Sequence, residues 1–186
     1  MLRSPMMPAP TPTESDEERR PTAVLLVYTW DLLRSILVFF VAFAAFGGAT
    51  DISGRTVELS LPLQILLALS SAALGAVLLL IGILLTRHAA WVRRAQITVL
   101  AMMIGIGLLS FLVVQGRDGF HRDQLLGPLL ATLFLALLDL LALFAMTGRR
   151  IVAWYREPGP VPMYIGALVA FWAAVSAAYI VIALLG

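Results

Sequence analysis

Residues 125–147 read LLGPLLATLFLALLDLLALFAMT, an apolar run interrupted by a single charge, Asp139. About 20 apolar residues in a helix cross the ~30 Å hydrocarbon layer of a bilayer, so this stretch is long enough to span one. Four further apolar runs flank it. The chain is 61 % hydrophobic with a mean hydropathy of +0.95, outside the range of soluble domains. The reading is an all-α fold, a transmembrane helical bundle of five spans. The 186 residues are expected to form one compact membrane unit without a second globular domain.

Working outward, the spans are expected at about 22–49, 59–86, 95–115, 125–147 and 162–185. Pro21, Pro62 and Pro162 stand where a first helical turn tolerates proline. The first span is the ambiguous one, because Asp31 and Arg34 interrupt it. It reads as one long helix, with an interfacial helix up to Arg34 and a short span after it as the alternative, and four spans in all if the first lies flat. The same two charges break what a signal peptide would need as an uncharged core. Residues 1–20, Pro-rich and then charged, hold too little apolar surface to fold and are expected to form a disordered cytoplasmic tail.

All thirteen basic residues are arginines, and lysine, asparagine and cysteine are absent. The missing Lys and Asn point to the coding bias of a GC-rich genome and, with the apolar spans, to a bacterial inner-membrane protein. Lack of cysteine excludes disulfides and thiol chemistry. Nine arginines (3, 19, 20, 87, 93, 94, 149, 150, 156) fall on one side of the predicted topology and three (55, 117, 122) on the other. By the positive-inside rule the N-terminus is cytoplasmic and the C-terminus external, in the cell membrane.

Asp139 is the sharpest chemical feature. It lies ten residues before Arg149, roughly 15 Å of helical rise, which predicts a mid-membrane position. An intramembrane carboxylate costs on the order of 2.5–3.5 kcal/mol on insertion scales and should face the bundle with a partner. Counted from Arg20, Arg34 is about 21 Å deep and Asp31 about 16 Å, so Arg34 is the expected ion-pair partner and Asp31 a second carboxylate on the same guanidinium. This cluster reads as a structural clasp, as a proton or cation site, or as a protonated Asp139 bound to a hydroxyl.

Arginine and tryptophan recur four apart, at Trp30/Arg34, Arg87/Trp91 and Arg150/Trp154, a spacing that lets a guanidinium lie over an indole. With Arg149 and Arg156 they form a basic and aromatic surface, read as an interfacial belt or as a binding surface for anionic lipid headgroups or a partner protein. The segments 87–93 and 150–156 share the pattern R-x-x-A-W-x-R, a faint internal repeat. Small residues mark helix contacts: Gly166, Ala170, Ala174 and Ala178 on span five, Ala68, Gly75 and Gly82 on span two, Ala101 and Gly105 on span three. They predict packing within the bundle, with a homo-oligomer or a membrane protein partner as the alternative.

Catalytic and cofactor motifs are not visible. His88 and His121 fall on opposite sides, so they cannot share a metal or a haem. Ser70, Ser71, Ser110 and Ser176 have no base at their depth. Gln64, Gln96 and Gln115 lie near span ends, where an amide reaches interfacial water. Short basic segments suit membrane topology and not nucleic acid. The expectation is a non-enzymatic integral membrane protein without cofactor or metal, an accessory, scaffold or assembly subunit. A small transporter or channel using Asp139 is the alternative.

Overall fold

A computed structural model describes residues 21–47, 49–51, 56–117 and 122–185 of the chain. The tail expected to be disordered, residues 1–20, lies outside them, as do Gly48, Arg55, Asp118 and His121. The described elements are α1 (Thr22–Phe46), β1 (Ala49–Asp51), β2 (Thr56–Glu58), α2 (Leu61–Leu84), α3 (Ala90–Arg117), α4 (Arg122–Ala145), α5 (Arg149–Trp154) and α6 (Met163–Leu185). Five of the helices, all but α5, are long and apolar enough to cross a membrane. The fold is an all-α transmembrane bundle. It also carries a small antiparallel hairpin in the loop after α1, with Ala49 opposite Glu58 and Asp51 opposite Thr56.

α1 runs unbroken through Asp31 and Arg34 and lies antiparallel along α2. Close approach there rests on small residues. A Cβ added at Gly75 would stand 2.9 Å from the Phe39 ring, and one at Gly82 would meet Asp31 Cβ at 3.6 Å. The Ser35 hydroxyl donates to the Gly75 carbonyl at 2.8 Å, a bond that only a bare backbone lets so near. Ala68 is fully buried as well, so the ridge read on the second span does face its neighbours. On its other flank α2 meets α6, where the Ser70 and Ser176 hydroxyls lie 2.7 Å apart.

α3 and α6 run parallel. Val92 clusters with Ile165, Val99 with Trp172 and Val113 with Ile180, a near-constant offset along both helices. The neighbour order around the bundle is α1, α2, α6, α3, α4 and back to α1. α1, α3 and α6 begin at one end, where α2 and α4 finish; this is the connector end. There the Tyr155 hydroxyl donates to the Leu85 carbonyl at 2.8 Å and the His88 ring lies 4.1 Å from that of Trp154. The Ala90 amide donates to the Glu157 carbonyl at 3.0 Å and the Glu157 amide to the His88 carbonyl at 3.3 Å. The two R-x-x-A-W-x-R segments thus pack against each other.

Three sequence expectations need correction. The ridge on α6 does not pack inside the bundle: Gly166, Ala170 and Ala174 are exposed, and only Ala178 is half-buried. The inward face of α6 carries Ile165, Trp172, Ser176, Tyr179 and Ala183. At about 100° per residue these five share one stripe, and the small residues centre on the opposite side. The large rings take the interior because they fill it. Ala101 and Gly105 of α3 are likewise exposed. α3 also starts at Ala90, so Trp91, Arg93 and Arg94, which precede the span expected at 95–115, lie within the helix.

Candidate functional site

Among the buried polar residues, Asp31, Gln96 and Asp139 lie toward the connector end, and Ser35, Ser71 and Ser176 lie nearer the middle of their helices. α1 presents two adjacent stripes, each four residues apart. Asp31 and Ser35 face α2 and α3, and both are buried; Trp30 and Arg34 turn toward α4. This is what i, i+4 spacing dictates on one helix, and it lets a single segment serve three neighbours.

Asp139 is 1 % exposed. The Trp30 indole N–H donates to its Oδ1 at 2.8 Å, and Arg34 Nη2 donates to its Oδ2 at 3.4 Å. That second contact is the only ion pair among the described residues. The Arg34 guanidinium also lies 5.9 Å from the centre of the Trp30 ring, so indole, guanidinium and carboxylate form a closed triangle. Both donors come from α1, and the acceptor comes from α4. The contact is single and long for a charge-assisted bond, and Arg34 Nε has no partner among the described residues. The shorter Trp30 bond is the better-formed tie.

Asp31 does not share that guanidinium. It is fully buried, and Gln96 Nε2 of α3 donates to its Oδ1 at 2.9 Å. Gln96 is fully buried too, and does not reach interfacial water as a span-end amide would. α3 begins earlier than expected, so Gln96 sits inside the helix, and Asp31 offers it an acceptor. Asp31 Oδ2 and Gln96 Oε1 have no hydrogen-bond partner among the described residues. The α1–α3 contact is therefore half-satisfied.

The cluster is also shallower than ten residues of rise implied. α4 ends at Ala145, and Met146, Thr147 and Gly148 form a turn before Arg149. Asp139 is six residues from the helix end, roughly 9 Å of rise. Gln96, six residues into α3, is at the same level. Arg93, one turn away, donates to the Met146 carbonyl at 3.2 Å and so meets the negative end of α4.

The remaining candidates are spread over the connector end. Arg87, Arg149, Arg150 and Arg156 are exposed, and Trp91 is buried. Trp154 is partly buried and stacks on His88, with its Nε1 unpartnered among the described residues. Of the three Arg/Trp pairs, only Arg34 over Trp30 is a ring contact among the described residues. Sequence reasoning found Arg34 with Asp139 by depth, and missed Trp30 as donor and Gln96 as partner. The i, i+4 phase of Trp30 and Arg34 was the available signal for the first.

Helix lengths and hydropathy define the class, a membrane protein that passes the bilayer several times. No model of a known family, no curated protein and no solved structure matches the chain.

Proposed function

We propose that the chain is a non-enzymatic, multi-pass membrane protein of the accessory, scaffold or assembly kind, and that its buried polar group is a clasp holding the bundle together. One observation carries this: Asp139 is enclosed, and both of its oxygens are taken by donors from one neighbouring helix. A carboxylate that passes protons or cations along needs an oxygen free to receive them. The outward ridge on α6 supports a role in contacting another membrane component. The arginine count supports a topology in the cell membrane with the connector end and the N-terminus on the cytoplasmic side.

Charge exchange tests the clasp. Arg34→Asp and Asp139→Arg are made singly and together. Each single change leaves a buried charge unpaired and lowers the yield of folded protein in detergent. The exchanged pair recovers most of it, less the Trp30 bond. In vesicles under a pH gradient, wild type and Asp139→Asn should dissipate the gradient equally. A flux supported by wild type and lost in Asp139→Asn would replace the clasp with a transporter. Failure of the pair to recover would remove the clasp.

A further inference from the structure

We infer that the cleft between α3 and α6 is a binding site for one anionic phospholipid, its headgroup at Arg94 and Arg156 and an acyl chain along the small residues of α6. The cavity measures about 700 Å³, within the range that holds a bound small molecule. Its lining is two-toned. Arg94 and Arg156 stand at the connector end, and the rest of the length is apolar, from Trp91 past Val99 to Met102 on α3. Gly166, Ala170 and Ala173 form its wall on α6, and a Cβ at Gly166 would meet nothing within 4 Å. The cleft exists because α6 turns its rings inward and its small residues toward it.

The fold brings the two arginines to one place. The Ala90–Glu157 and Glu157–His88 backbone bonds fasten the connector to the start of α3, so Arg156 stands beside the end of the helix that carries Arg94 just past its first turn. Both side chains are exposed, and no carboxylate lies within ion-pair distance of either among the described residues. Arg93, by contrast, is spent on the Met146 carbonyl. Glu157 uses its backbone in the fastening and is not among the lining residues. No acidic side chain among the described residues lines the cleft, so its charge is complementary to a phosphate and not to a zwitterion's ammonium.

Dimensions agree with the occupant. From Arg94 to Met102, and from Ile165 to Ala173, is eight residues, roughly 12 Å of rise. One leaflet's hydrocarbon is about 15 Å deep. The apolar part thus takes most of one acyl chain while the arginines sit at headgroup level. This site is separate from the Arg34–Asp139 clasp, and its test does not depend on that reading.

The full chain is purified in mild detergent, stripped of lipid, and titrated with phosphatidylglycerol or with phosphatidylcholine of the same acyl chains. Bound lipid is counted by native mass spectrometry. Wild type should hold one phosphatidylglycerol in preference to phosphatidylcholine. Arg94→Gln with Arg156→Gln should cut that preference roughly thirtyfold, at about a factor of five per arginine near an anionic surface. Ala170→Leu, on an exposed position that does not threaten folding, should reduce binding of both lipids. Arg149→Gln with Arg150→Gln, outside the cleft, should bind as wild type does. Equal retention of the two lipids by wild type, or an unchanged preference in the Arg94/Arg156 variant, overturns the site. A dimer that Ala170→Leu disperses, with no lipid bound, gives the cleft to a second copy of this chain and overturns it as well.

Discussion

α2 and α4 carry nearly the same mean hydropathy, 2.5 and 2.3 over their most apolar windows, but 39 % of the first window is buried against 11 % of the second. α2 is held by shape. Gly75 and Gly82 let α1 approach until ring and backbone touch, Ala68 is buried on the same stripe, and Ala73 packs on the opposite face with Val99 and Trp172. α4 shows most of its leucines and phenylalanines outward, and its buried positions include Asp139 and Ala142, with Met146 buried in the turn just after it. Its two polar ties, Asp139 to α1 and the Met146 carbonyl to Arg93 of α3, fall in its last two turns and the turn just after them. Lipid is as apolar as leucine, so grease alone pulls neither helix inward. A membrane helix is fixed by close packing or by polar contact: packing dominates on α2, with the Ser35–Gly75 and Ser70–Ser176 bonds beside it, and α4 carries the buried ionic tie.

The comparison breaks first at Asp139. Asp139→Ala strands the Arg34 guanidinium and the Trp30 N–H, and should cost about 3–5 kcal/mol, read as a lowered midpoint of thermal unfolding in detergent. A loss below about 1 kcal/mol would mean that α4 is held by packing after all. Next comes α2. Gly75→Val puts a branched side chain against the Phe39 ring and should cost about 1–3 kcal/mol, partly recovered by Phe39→Ala. Silence in that variant would deny the close approach on which α2 depends.

Two smaller effects sharpen the contrast. Asp31→Asn keeps an acceptor for Gln96 Nε2 and adds a donor where Gln96 Oε1 is unused. It should be neutral or stabilise by about 1 kcal/mol. A loss above about 2 kcal/mol would show that the bundle needs a negative charge there. Ala174→Leu adds bulk to an outward face and should leave the isolated bundle within about 0.5 kcal/mol of wild type. A severe loss of monomer stability would turn the α6 ridge inward.

How much could be read in advance follows from what each signal measures. Depth along a helix is linear in residue number, so Arg34 and Asp139 could be matched as charges that need each other. Gln96 could not be matched to Asp31, because an amide near a span end is at home in interfacial water as well as in a core. Small residues every four positions declare a groove on a helix and do not say what the groove faces. On α2 the ridge meets α1; on α6, Trp172 and Tyr179 lie on the other side and take the interior.

Hydropathy and length alone account for five spans in an all-α bundle, because a bilayer forces every backbone polar group into helical pairing once the run is long enough. Arginine counts supplied an expected orientation only, from the bias of basic residues toward the cytoplasmic side. Which faces meet was settled by packing in three dimensions. It depends on side-chain volumes from several helices at once, and no single stretch carries that sum. That is why the Trp30 bond to Asp139, the Gln96–Asp31 contact and the arginine-mouthed cleft beside α6 came into view only with the assembled bundle.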